Sequence, residues 1–165
     1  MKRKTVFIAA LVLIVAVWLF AWQQQASERL LKIYDYETEA VYVQSPVQSG
    51  DRLFFGWVHS LEKIPWHEYY HITADDTLVL DTISFPAFGA GIPEAKGTRV
   101  RVENGLIFME GINQEFKQFD WINSHFATRE IKLNDTLLTS GRELPEHKRL
   151  VLKIERGESW WRIKK

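Results

Sequence analysis

After Thr38 no stretch of this chain sustains helical periodicity for three turns. What recurs instead is a short run of branched and aromatic residues, then a turn, at spacings near ten residues. "RLFFGWVHS" (Arg52–Ser60), "WHEYYHI" (Trp66–Ile72) and "TLVLDTIS" (Thr77–Ser84) are such runs. Side chains of this kind suit a pleated, half-buried surface. The pattern restricts the chain to an all-β fold, a sandwich or barrel of about ten short antiparallel strands.

The turns sharpen this reading. In "TRVRVENGLIFMEG" (Thr98–Gly111), Asn104-Gly105 supplies two residues that tolerate positive φ, as a type I′ hairpin requires. Val100 and Val102 alternate with arginines, which predicts one buried and one wet face. "TREIKLNDTLLTS" (Thr128–Ser140) reads as a hairpin about Asn134-Asp135, with Ile131 and Leu133 pointing inward. "EAVYV" (Glu39–Val43) and "EFKQFDW" (Glu115–Trp121) are further strands. The last pair is expected at Arg149–Glu155 and Ser159–Lys164, turning at Arg156-Gly157.

The N-terminus is of another kind. "MKRK" precedes Thr5–Trp22, and Val6–Trp22 contains no charged or strongly polar side chain. About 20 apolar residues cross a bilayer core as a helix, and this span is near the lower limit. A helix satisfies its backbone hydrogen bonds internally, as lipid demands. Trp18 and Trp22 fall where rings prefer the interface, and the basic cluster keeps its own end cytoplasmic. The competing reading is a cleaved signal peptide, but "LFAWQQQAS" offers no clean Ala-x-Ala boundary. Either reading places the rest outside the cytoplasm. The expected organisation is an anchor or signal sequence at 1–22, a stalk at 23–38 and an extracytoplasmic β-domain at 39–165. The chain is then a single-pass cell-membrane protein with its C-terminal domain on the outer side.

Composition excludes several classes. There is no cysteine, hence no disulfide framework and no thiolate chemistry. Basic and acidic side chains balance at 21 each. Lys2, Arg3 and Lys4 belong to the anchor, so the remainder is slightly acidic, and nucleic acid is not an expected partner.

The densest chemistry lies in "GWVHSLEKIPWHEYYHI", Gly56–Ile72. As two strands joined at Leu61–Pro65, it places Pro65 at a strand start. Alternation puts His67, Tyr69 and His71 on one face, and Trp66, Glu68, Tyr70 and Ile72 on the other. The large apolar residues mark Glu68's face as the inner one, and a carboxylate there needs a partner. His67 and His71 would share a metal on a helix. On a strand they stand roughly 13 Å apart, so no metal and no cofactor is assigned, and both are read as solvated outward residues. A hairpin about Leu61–Pro65 lets residues 59 and 68 approach. His59 and Glu68 then form either a charge-assisted structural pair or a general acid–base pair with Ser60 as nucleophile. In "SFPAFGAGIP" (Ser84–Pro93), Gly89 and Gly91 flank Ala90. Such a loop is either a wide turn or a cradle of backbone N–H groups.

"HSLEKIPWHEYY" followed by "FPAFGAGIP" resembles the family known as domain of unknown function 1850. The residues that carry the likeness are His59, Ser60, Pro65, Glu68, then Phe88, Gly89, Ala90, Gly91, Ile92 and Pro93, with Ile92 in place of a commoner leucine. By motif it covers about Glu39 to Pro93. The resemblance implies an N-terminal membrane segment and an accessory role beside TAXI-type tripartite ATP-independent periplasmic (TRAP) transporters. The implied partners are the membrane, a transporter membrane subunit or a solute-binding protein. The motif residues are expected to line one ligand or partner cleft. The alternatives are an extracytoplasmic enzyme using His59 and Glu68, and a structural envelope protein.

Overall fold

Eleven strands follow one another along the described residues, which in this computed structural model are 29–86 and 96–157. They are β1 (Arg29–Asp35), β2 (Val41–Pro46), β3 (Arg52–Val58), β4 (Pro65–Ile72), β5 (Leu78–Phe85) and β6 (Arg99–Glu103). The remainder are β7 (Leu106–Phe116), β8 (Gln118–Ile122), β9 (Thr128–Leu133), β10 (Thr136–Ser140) and β11 (Arg149–Arg156). No helix occurs among them. The expected anchor (1–22), the glycine segment Phe88–Pro93 and the expected strand Ser159–Lys164 lie outside the described residues.

The strands form two sheets, with orders β2-β1-β11-β8 and β10-β9-β3-β4-β5-β7-β6. The all-β expectation holds as a sandwich-like pair of antiparallel sheets. Alternation along the strands feeds one shared core. Leu31 and Ile33 of β1 and Leu150, Leu152 and Ile154 of β11 pack with Leu53, Phe55, Tyr70, Ile83, Met109 and Ile131 of the larger sheet. Fully burying an aliphatic side chain of this size stabilises by about 1.5–3 kcal/mol.

The predicted turns do their work. Asn104 and Gly105 stand at φ 50° and 77°, and Asn134 and Asp135 at 48° and 67°. Both hairpins are therefore closed by residues in the left-handed region, whose twist matches that of the strands.

Two expectations need correcting. Arg29–Asp35 was placed in the stalk, yet it is β1, with Leu31 and Ile33 wholly buried. Its alternation, Leu31, Ile33 and then Asp35 inward, is a strand period; it was masked in the sequence by adjacency to the apolar N-terminal span. Val100 and Val102 were expected to share a buried face. They are 48% and 71% exposed, while Arg101 between them is half-buried. The reason is position: β6 is the edge of the seven-stranded sheet, beyond the cover of the four-stranded one.

Candidate functional site

The hairpin of β3 and β4 pairs in strict register, with Phe55 opposite Glu68, Trp57 opposite Trp66 and Val58 opposite Pro65. Pro65 opens β4, where its missing N–H costs no ladder bond. The turn is closed by His59, whose N–H donates to the Ile64 carbonyl at 2.9 Å and whose carbonyl accepts the Lys63 N–H at 2.8 Å. Lys63 takes φ 56° to allow this. His59 Nδ1 also accepts the Glu62 N–H at 3.4 Å. The imidazole stacks on Trp57 (centroids 5.6 Å apart, 28°) and tilts against Trp66 at 5.6 Å.

The inner-face assignment of Glu68 holds: Trp66, Tyr70 and Ile72, which share its face, are all buried. Its partners are side chains that the sequence reading did not name. Glu68 Oε1 accepts from Trp57 Nε1 at 3.3 Å and Trp66 Nε1 at 3.2 Å, and Oε2 accepts from the Tyr70 hydroxyl at 2.6 Å. A carboxylate is an acceptor only, and here three neutral donors converge on it. Tyr70 is held far above the ordinary phenol range, first by burial and then by the adjacent Glu68 charge and hydrogen bond. It therefore remains a donor at every physiological pH.

The expected approach of His59 to Glu68 does not take the form of a hydrogen bond among the described residues. The register places Glu68 opposite Phe55 and turns the chain at Ile64, so the Trp57–Trp66 pair stands between the two groups. Ser60 is exposed in the turn, and no hydrogen bond among the described residues ties its hydroxyl to a base. The cluster continues as an aromatic layer. Trp66 stacks on Phe85 (5.0 Å, 13°), and Tyr70 stacks on Phe119 of the opposite sheet (5.6 Å, 14°). Phe55 meets Phe119 and Trp121 edge-on. The buried Trp121 Nε1 donor has no partner among the described residues. Past Phe85 the chain runs into the motif residues Phe88, Gly89, Ala90, Gly91 and Pro93, which lie outside the described residues.

The other face of β4 differs from the expectation of solvated histidines. His67 is half-buried against Phe54, with Nδ1 3.2 Å from Ser84 Oγ. Burial pushes its pKa down, and the nearby Glu130 carboxylate partly opposes this. His71 Nδ1 lies 2.7 Å from Asp81 Oδ2. His67 and His71 lie on one strand four residues apart, roughly 13 Å, a spacing too long for the two imidazoles to share one cation. Asp81 is there because of a bulge. Tyr69 pairs with Thr82 and Tyr70 with Leu80, so Asp81 is the extra residue. A bulge re-aims a side chain and bends the strand. The result is a groove of about 670 Å³ on the outer face, with Phe54, Tyr69, His71, Asp81, Arg101 and Phe108 among its walls. Sequence reasoning missed it, although one signal existed. In "LVLDTISF" the apolar phase slips between Leu80 and Ile83.

The sequence profile of a family described as Domain of unknown function (DUF1850) matches residues 54–139, just over half of the chain. The chain belongs to this family. The DUF1850 match runs from β3 to β10: it starts at residue 54, after the Glu39 at which the motif likeness begins, but extends past Pro93 to 139, and so takes in nearly the whole seven-stranded sheet. Strands β1, β2 and β11, which supply most of the second sheet, fall outside it. Neither the curated proteins nor the solved structures yield a match to the chain.

Proposed function

We propose that this protein is a membrane-anchored extracytoplasmic accessory domain of a solute transporter of the TAXI type, acting by contact at the β3–β4 end of the sandwich and not by catalysis. The observation that carries the non-catalytic part is the occupation of Glu68. Both of its oxygens are taken by three neutral donors, and His59 is folded against the indoles as the closure of a turn. An acid–base pair needs its proton-transfer partners within hydrogen-bond reach, and a serine nucleophile needs an oriented base. The polar residues of the motif instead stiffen a turn and present its exposed residues. The transporter association rests on the family resemblance, and extracytoplasmic placement on the basic-then-apolar N-terminus.

The test is a photo-crosslinking residue at Leu61, 65% exposed in the turn, in the full-length protein in its own membranes. The expected product joins it to a transporter membrane subunit or solute-binding protein. Absence of any such product, with the protein present at normal level, removes the accessory reading. Turnover of an extracytoplasmic substrate that disappears in His59→Ala would restore the enzymatic alternative.

A second reading, small-ligand contact, is favoured by the outer-face groove, since ligand sites commonly measure about 300–1,000 Å³.

A further inference from the structure

The cations of the described residues are unevenly satisfied. Arg29, Lys32, Arg52, Arg99, Arg101, Lys117, Lys132, Lys148, Arg149 and Lys153 each sit in an ion pair. Lys63, Lys96, Arg129 and Arg142 sit in none among the described residues; of these, Lys63, Arg129 and Arg142 are exposed and stand near one another. They are brought to one place. The turn carrying Lys63 is tied to the turn after β8 by the Val58 N–H, which donates to the Ala127 carbonyl at 2.8 Å. A hollow of about 440 Å³ is lined by His125, Phe126, Arg129 and Arg142. A neighbouring one of about 480 Å³ shares Phe126 and Arg129 and adds Lys63. Phe126 is 60% exposed, with the Arg129 guanidinium 5.3 Å from its ring centre.

The acids nearby are engaged or set back. Glu130 is paired with Lys132, and Glu146 accepts the His125 N–H and contacts both His125 and His147. Glu143, beside Arg142, accepts from the Ser140 N–H and from the Thr139 and Ser140 hydroxyls, and Glu62 is half-buried on the turn that carries Lys63. The framework under the patch is rigid. Buried Asn123 donates from Nδ2 to the carbonyls of Gly141, Leu144 and Pro145, locking the Phe126 turn to the segment that carries Arg142. Gly141 packs so closely on the Thr128 carbonyl that a side chain there would overlap it. The backbone that carries the two arginines and the aromatic ring is thus fixed before any partner arrives, which lowers the ordering cost of binding.

We infer that the face formed by Lys63, Phe126, Arg129 and Arg142 docks an acidic segment of a partner protein, its carboxylates on the arginines and an apolar side chain on Phe126. This rests on the accessory reading above and names the chemistry of its partner. Unpaired guanidiniums recognise carboxylates bidentately, and arginine and aromatic side chains dominate binding energy at protein interfaces. An anionic lipid surface offers similar charge, but Phe126, 60% exposed beside Arg129, adds the aromatic anchor that protein interfaces favour.

The experiment uses the full-length protein in nanodiscs of uncharged lipid and a fluorescent peptide of alternating glutamate and phenylalanine, read by anisotropy. Arg129→Glu with Arg142→Glu should weaken binding about tenfold or more, and Phe126→Ala should weaken it less. Lys117→Glu, on a lysine paired with Asp75 in the turn after β4, should leave binding unchanged. Far-UV dichroism of each variant confirms that the β-sheets persist. Equal peptide affinity with and without the two arginines overturns the inference. So does binding of phosphatidylglycerol vesicles that the peptide fails to compete away. A crosslinker at Phe126 separates the two levels. Capture of a transporter subunit that survives loss of both arginines keeps the accessory reading and discards this one. Arginine-dependent peptide binding without such capture does the reverse.

Discussion

The Trp66 indole donates to Glu68 Oε1 at 3.2 Å from two residues away on the same face of β4. Neighbours at i and i+2 on a strand share a face, so β4 carries its own donors for its own inward carboxylate. Tyr70, two residues on the other side, supplies the third bond at 2.6 Å. The cluster is thereby largely local in sequence, and only Trp57 comes from β3.

Replacing Glu68 therefore separates charge from hydrogen bonding. Glu68→Ala should destabilise the domain by about 1–3 kcal/mol, since it strands buried donors. Glu68→Gln should cost less, because one amide oxygen still serves the indoles and the Tyr70 hydroxyl can accept from the amide N–H. Urea titration of the full-length protein and both variants checks this. Equal losses for Gln and Ala would show that the charge itself, not the acceptor oxygens, is what the cluster requires.

Acid should loosen the domain through His67. Burial holds this imidazole below its ordinary 6.5, so the folded state resists a proton that the unfolded state accepts. Stability is then full above about pH 6.5 and falls as pH drops toward the lower folded value. His67→Gln should flatten that fall between about pH 7.5 and 5.5. The lowered carboxyls of Asp35 and Glu143, held down chiefly by the backbone N–H groups of Thr38 and Ser140, act in the same direction only at more acid pH. Urea midpoints at the two pH values decide it; identical slopes for parent and variant refute the assignment.

A backbone test concerns the irregular stretch of β7. Leu80 pairs with Gln114 and Thr82 with Glu110, leaving Gly111, Ile112 and Asn113 against the single residue Asp81. Gly97 packs on this stretch at φ 84°, and a Cβ there would overlap the Glu110 carbonyl. Gly97→Ala should cost about 1–3 kcal/mol. It should also disturb the groove, since Glu110 lines it and holds Arg101 at 2.5 Å. An unchanged denaturation midpoint would mean that the stretch relaxes freely.

The strands and hairpins could be read from the sequence because their causes are local. Asn104-Gly105 and Asn134-Asp135 favour positive φ wherever they stand, and branched residues alternate with polar ones whatever packs on them. The inward face of Glu68 was legible for the same reason: Trp66, Tyr70 and Ile72 declare it. What the tertiary structure decided is everything that depends on pairing between distant segments. Register set Phe55, and not His59, against Glu68. Sheet order left Val100 and Val102 uncovered on the edge strand β6, where alternation alone predicted burial. Adding β1 to the second sheet turned an expected stalk into core. A single inserted residue, Asp81, changed the parity of β5 and created the pair with His71. Arg129, Arg142 and Lys63 lie up to 79 positions apart and meet only because two turns are tied at one end of the sandwich. Local propensity is a property of neighbours in the chain; coverage, register and charge clustering are properties of neighbours in space.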